Sequence, residues 1–239
     1  MKKREKTGEL GEELYNLILS DLGFKPLRNI YLPLKNGNTT EIDMLIAHPT
    51  GIYPIEVKNY GARIYGNDKM KYWKAYYNNG KGYNLYNPIL QNDSHRRVLE
   101  RVIGFSEKTL SFVVFTDRAD LSNVQNSRED VLVCNPKLFK EALYHQILYG
   151  EKVLTIEELR KTHKELSKYI GVDDKVKKAH IKYVKKQSRK WGRIMLKQNK
   201  KIIMVILCIL TILSVGYVVN SSNLGGGVEK KWKLLRGFE

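Results

Sequence analysis

A chain of 239 residues with 42% hydrophobic and 28% charged residues can bury a core in one large domain or two small ones. Its two cysteines, Cys134 and Cys208, exclude a disulfide framework and a CxxC metal site, and suit a reducing compartment. The net charge of +17 is concentrated, because residues 175–201 carry twelve Lys or Arg and no acid, so a high isoelectric point is no argument for DNA binding by the rest.

In chain order, Met1 to Lys6 is basic but runs into Thr7-Gly8-Glu9-Leu10 instead of an apolar stretch, so no secretory signal is expected. Leu14, Leu17, Ile18 and Leu22 mark an amphipathic first helix closed by Gly23. Ile30 to Leu34 reads as a strand and Lys35 to Asn38 as a turn. Glu41 to Ala47 and Ile52 to Lys58 are two strands joined by His48-Pro49-Thr50-Gly51, and Arg63 to Tyr65 and Tyr72 to Tyr77 continue a meander. Asn87-Pro88 opens a helix through Leu99, with the proline suited to a first helical turn. Phe112 to Phe115 and Val131 to Cys134 are short apolar strands. Helices 136–148 and 156–170 follow, the second with Thr155 and Glu158 as a capping box. The expectation is an α/β domain over 1–170, a mixed central sheet flanked by helices.

Beyond it, Val176, His180, Val184, Gln187, Trp191 and Ile194 form a weak helical stripe within a basic juxtamembrane segment, 171–201. Residues 175–201 are expected to lie on anionic lipid, with a DNA-contacting arm as the rival. Ile202 to Val219 is eighteen residues without a charge, roughly 27 Å as a helix, which predicts a C-terminal transmembrane helix. The twelve basic residues before it outweigh Lys230, Lys231, Lys233 and Arg236 after it. The positive-inside rule then predicts a single-pass protein of the cell membrane, with its N-terminal domain cytoplasmic and 220–239 a short extracytoplasmic tail. That tail follows a Gly225–Gly227 link and holds Trp232, Leu235 and Phe238.

The chemistry-bearing stretch is Glu41-Ile42-Asp43 followed by Ile55-Glu56-Val57-Lys58. Pairing Ala47 with Ile52 across the loop sets Asp43 opposite Glu56 and Glu41 opposite Lys58, with Asp43, Glu56 and Lys58 on one face. Facing like charges destabilise a sheet. A hard cation between them supplies a reason, since Mg²⁺ takes oxygen ligands and commonly uses one or two carboxylates. A solvated strand pair of mixed charge is the plain alternative. The five histidines have no paired ligand spacing, which argues against zinc. Seven tyrosines between Tyr60 and Tyr86 could stack on bases or simply pack a sheet.

Taken together, Gly8-x-x-Gly11-Glu12, Glu41-Ile42-Asp43, Gly51-Ile52, Glu56-Val57-Lys58-Asn59, Trp73 and Asn87-Pro88-x-x-Gln91 occur in the order seen in the nuclease-related domain. The chain resembles that family over roughly residues 6–135, and the family is similar to the PD-(D/E)xK nucleases. The resemblance implies a restriction-endonuclease-like fold, with Asp43 and Glu56 as metal ligands and Lys58 as the catalytic lysine. Glu12 would be a further acid and Gln91 an assisting residue. Ile42 stands where the superfamily name has proline. The expected function is a membrane-anchored, Mg²⁺- or Mn²⁺-dependent nuclease acting on nucleic acid, DNA in the first instance. The rival expectation is a catalytically idle nuclease fold that serves as a membrane-tethered nucleic-acid or protein-binding module.

Overall fold

The computed structural model describes residues 2–104 and 110–190, with 193, 197, 200, 203, 204 and 206 beyond them. The elements run α1 (Lys2–Asp21), β1 (Leu27–Pro33), β2 (Thr39–His48), β3 (Gly51–Lys58), β4 (Arg63–Asn67), β5 (Tyr72–Tyr76) and β6 (Gly82–Tyr86). Then follow α2 (Pro88–Ile103), β7 (Ser111–Phe115), β8 (Asp120–Gln125), β9 (Val131–Cys134), α3 (Pro136–Tyr149) and α4 (Ile156–Ser167). The chain divides into two compact units, 1–180 and 181–239. The first is a mixed α/β fold.

Local sequence sets most of these boundaries. At the end of α1 the Gly23 N–H donates to Ser20 O and the Phe24 N–H to Leu19 O, with Gly23 at φ +81°. That paired closure needs a left-handed residue, which glycine adopts without a Cβ clash. The Asn87 side chain accepts the Ile89 N–H at 2.9 Å, capping α2 ahead of Pro88. The Thr155–Glu158 capping box forms in both directions.

Instead of one central sheet there are two. A five-stranded sheet has the order β1-β2-β3-β7-β9, and a four-stranded sheet the order β6-β5-β4-β8. After Lys58 the chain leaves the first sheet, because Asn59 turns to bond Thr7 O of α1 and the Thr116 hydroxyl, and β4 starts a new ladder. Strands β6 and β8 lie outside the expected set. The β8 sequence, Asp120-Leu-Ser-Asn-Val-Gln125, has no apolar alternation and pairs along only one edge, with β4.

Three apolar clusters hold the first unit together. Tyr15, Ile18 and Leu19 of α1 pack with Met44, Ile55, Phe112 and Phe139 on one face of the five-stranded sheet. Ile30, Leu32, Ile42, Leu45 and Ile52 pack with Leu99 of α2 and Leu166 of α4 on the other. Trp73, Ile64 and Ala75 join the second sheet to Phe115 and Val113 of β7. The inward face of α1 is the expected one in part: Ile18 lies in the core and Leu22 packs against it, but Leu14 and Leu17 are 36% and 56% exposed, and Tyr15 and Leu19 are buried instead. The Tyr15 hydroxyl donates to Phe115 O, and Gly11 abuts Asn59, so tertiary contacts rotate the helix by about one residue.

Helical backbone runs over 174–180 in the first unit, where His180 contacts Thr39 at 3.1 Å, and over 181–190 in the second. No helix among the described residues is long and apolar enough to cross a membrane. The expected 202–219 span falls outside the described residues except at Ile203, Met204 and Ile206, which are helical and exposed. Trp191, Ile194 and the 220–239 tail also fall outside them.

Candidate active site

Strands β2 and β3 share a short hairpin from His48↔Gly51 to Met44↔Ile55, in the register expected from the loop but closed one pair tighter. Past Met44 and Ile55 the two strands stop pairing. β2 continues back to Thr39 paired only with β1, and β3 continues to Lys58 paired only with β7. Asp43 sits at this fork, skipped by both ladders opposite Asn29, a non-glycine residue at φ +51°. Irregular points of this kind re-aim side chains and are over-represented beside active sites. Freed from a strand partner, the Asp43 carboxylate accepts the Val57 N–H at 2.8 Å.

Glu56 and Lys58 project from the far arm of the fork. Glu56 is 1% exposed, and one of its oxygens accepts from the Lys58 ammonium. Lys58 also donates to Gln91 Oε1 at 3.2 Å, from the second turn of α2. One turn further along α2, His95 Nδ1 lies 3.3 Å from Glu56 Oε2. Both of these buried atoms lack an aligned hydrogen bond. The expected opposition of Glu41 and Lys58 does not form, because the fork separates them. Glu41 instead pairs with Tyr31 across β1–β2 and stands 3.6 Å from His180 Nε2.

The carboxyls of the fork have divergent proton affinities. Burial alone would raise Glu56, but Lys58 and His95 outweigh it and hold the group below its usual range. Asp43 is pushed well above the usual carboxylate range, first by burial and then by the Glu56 charge, with Lys58 only partly offsetting both. Glu12 is raised to about 7, by burial first, then by Glu41, with Glu56 and Glu9 adding and Arg28 opposing. For Lys58, burial would lower the ammonium, but Glu56 and Asp43 together raise it. Lys58 therefore holds Glu56 down without offsetting the burial and like charge that raise Asp43.

Glu12, rather than its neighbour Glu13, reaches this field. Glu13 is turned away and pairs with Arg28 at 3.1 Å. Glu12, Asp43, Glu56, Lys58 and Gln91 are thus brought into one electrostatic neighbourhood from three elements, α1, the β2–β3 fork and α2. His95 has no paired ligand spacing in the sequence and so carries no metal-site signal there. Its signal was helical, four residues after Gln91 and therefore on the same face of α2. Among the described residues no three His, Cys, Asp or Glu side chains form a group ready for a metal ion. The donor chemistry nonetheless suits a hard cation: Glu56 Oε2 has no aligned hydrogen bond, and burial first, then like charge, raises both Asp43 and Glu12.

Residues 7–116 match the family model of the nuclease-related domain. The chain carries a nuclease-related domain. An uncharacterized protein of Bacillus anthracis is 28% identical to it over 187 residues, covering 74% of this chain and 83% of that one. No solved structure matches the chain.

Within the nuclease-related domain, the motif residues fall into two groups. Gly11, Asn59, Trp73 and Asn87 build the frame. A Cβ on Gly11 would come within 2.9 Å of Asn59 Cβ, so glycine there lets α1 approach the end of β3, one residue before Glu12. Trp73 is fully buried, stacks on Phe115 at 6.5 Å and donates from Nε1 to Asn67 O at 2.8 Å. Asn87 donates to Asn67 O and Met70 O, tying the β4–β5 turn to the start of α2. That tie fixes where Gln91 falls. The other group, Glu12, Asp43, Glu56, Lys58 and Gln91, lines the fork.

Proposed function

We propose that this protein is a metal-dependent nuclease that hydrolyses phosphodiester bonds in nucleic acid, DNA in the first instance, and is held at the cytoplasmic face of the cell membrane. The observation that carries the reading is the fork itself, where buried Asp43 and Glu56 flank Lys58 and Glu12 lies in the field of Glu56 and Glu41. Asp43 and Glu56 would hold Mg²⁺ or Mn²⁺. When bound, that ion would lower the pKa of a coordinated water and polarise a phosphoryl oxygen. Lys58, kept protonated by its acidic neighbours, would stabilise charge developing on the phosphate. Gln91 holds the Lys58 ammonium from one side and fixes its direction. Glu12, with a raised proton affinity, is placed to take or return a proton near neutral pH. No group in the fork needs to form a covalent intermediate.

The membrane part rests on the uncharged run 202–219 and the twelve basic residues before it, with 175–201 lying on anionic lipid. Protease added to sealed cells should reach only the chain after Asn220. Digestion of the 1–201 part under those conditions would overturn the orientation.

The test of the chemistry is cleavage by the full chain in detergent micelles, on linear, circular, nicked and single-stranded substrates with Mg²⁺ or Mn²⁺. Cleavage that vanishes in chelator and in Lys58→Ala supports the reading. Calorimetric Mn²⁺ binding without cleavage of any substrate would favour the rival, an idle nuclease fold that serves as a tethered binding module.

A further inference from the structure

The four-stranded sheet has one face packed on β7 and one turned to solvent. On its three antiparallel strands the outward positions are Arg63, Tyr65 and Asn67 on β4, then Tyr72, Lys74 and Tyr76 on β5, then Gly82, Asn84 and Tyr86 on β6. Four of these nine are tyrosines, two are basic and none is acidic. Tyr76 and Tyr86 are 40% and 41% exposed, Tyr65 and Tyr72 are half-buried beside them with the Tyr72 hydroxyl buried, and exposed aromatic groups gathered on one face mark binding surfaces. The whole segment 63–86 carries five basic residues against Asp68 alone.

The rings are held in place before any ligand arrives. Tyr76 is 40% exposed and lies over Gly82, where a Cβ would come within 2.8 Å of the ring. Glycine there seats one side of the ring on backbone. Tyr65 packs edge-on to Tyr76 at 5.4 Å, and Tyr72 edge-on to Tyr86 at 5.9 Å. Lys74 stands opposite both Tyr65 and Asn84 in the middle of this array. Arg63 shares its charge with Asp120 at 3.3 Å at one margin.

We infer that this face, Tyr65, Tyr72, Tyr76 and Tyr86 around Lys74, is a docking platform for single-stranded nucleic acid. Rings fixed on a sheet, with cations between them, stack unpaired bases and meet the phosphate backbone without reading sequence. A duplex keeps its base faces stacked inside, so the rings have nothing to stack on there. Tyr86 also leads through Asn87 directly into α2. Gln91 lies about 6 Å along that helix from Asn87 and bonds Lys58. A strand on the platform is therefore tethered near the fork. This deepens the nuclease reading by naming its substrate class, and rests on that reading for the expectation of a polynucleotide.

The experiment uses the full chain in detergent micelles with chelator present, and reads fluorescence anisotropy of labelled oligo(dT), oligo(U) and a blunt duplex. A Tyr76→Leu/Tyr86→Leu variant should bind one or both single strands at least tenfold more weakly, since each ring removed takes away a stacking partner for one base. Duplex binding should stay within twofold, and Tyr76→Phe/Tyr86→Phe should keep single-strand affinity within twofold. Leu variants that hold both single strands as tightly as wild type would overturn the platform, as would equal losses on duplex and single strand. If the Leu variant does not fold, photo-crosslinking of wild type to 5-iodouracil oligonucleotide decides. Crosslinks at Tyr76 or Tyr86 are expected, and crosslinks confined to 175–201 would overturn the inference. The two readings fail separately: tyrosine-dependent binding with no cleavage in Mn²⁺ sinks the nuclease alone, and cleavage with tyrosine-independent binding sinks the platform alone.

Discussion

Two charged clusters lie on α2, and they are built on opposite plans. Toward the fork, Asp43 and Glu56 share Lys58 while Glu12 meets Glu41 and Glu56 with Arg28 opposing, and burial first, then like charge, pushes Asp43 and Glu12 up the proton-affinity scale. On the other side, Arg128 grips Asp93 through two nitrogens at 2.6 and 3.0 Å and reaches Asp130 at 2.7 Å, while Arg96 bonds Asp130 at 3.0 Å. There two arginines hold two aspartates, with Glu100 also 3.8 Å from Arg96, and Asp130 is held down to about 2 by Arg128, with burial opposing and Arg96 assisting. That cluster, with each carboxylate on a guanidinium, reads as structure, joining α2 to the β8–β9 connection. The fork buries carboxylates beside one another, a cost that makes sense where a cation binds.

The sharpest way to break this comparison is to remove one charge from each side. Lys58→Ala or Glu56→Gln should lower cleavage at least about a hundredfold, the scale of losing one transition-state donor. Asp93→Asn should leave the rate per folded molecule within a few-fold, and lower stability by about 1.5–3 kcal/mol through lost charge-assisted bonds to Arg128. A hundredfold loss in Asp93→Asn with an unchanged melting temperature would mean that the second cluster also serves catalysis.

Asp43→Asn separates repulsion from ligation at a single atom. An asparagine Oδ1 can still accept the Val57 N–H, so the fold keeps its bond while losing a charge. In chelator the variant should be as stable as wild type or more so, by about 0.2–1 kcal/mol. Saturating Mn²⁺ at 100 times its dissociation constant should stabilise wild type by about 2.7 kcal/mol, and the variant far less. A clearly destabilised variant in chelator would make Asp43 a structural acceptor.

The smallest effect is one of pH, with opposite signs on the two sides. Glu12 is raised to about 7 from an ordinary 4.5, so between those values the folded state binds more protons than the unfolded one. Apo stability should therefore fall as pH rises through that window. Asp130 is lowered to about 2 from an ordinary 3.8, so its contribution is present above 3.8 and is lost as pH falls toward 2. In melting curves taken in chelator across pH, Glu12→Gln should flatten the alkaline side and Asp130→Asn the acid side. No change of slope in Glu12→Gln would remove Glu12 from the fork.

The sequence by itself determined what depends on near neighbours. Strand and helix periodicity, the capping box at Thr155, the Asn87-Pro88 helix start, the Gly23 stop and the β2–β3 register all follow from residues a few positions apart. The order of the motif residues was legible too, and with it the nuclease-related domain. Tertiary structure alone decided the rest. Which face of α1 turns inward depends on Gly11 meeting Asn59 and Tyr15 meeting Phe115, a hundred residues away. The second sheet forms because Asn59 is drawn out of the first, and β8 is a strand only because β4 offers it an edge. The fork opens where β2 and β3 take different partners, so that Glu41 turns to Tyr31 and His180 while Lys58 turns to Gln91. Local patterning sets periods and ends; which distant side chains meet is fixed only when whole elements pack, and the charge imbalance of the site arises at that step.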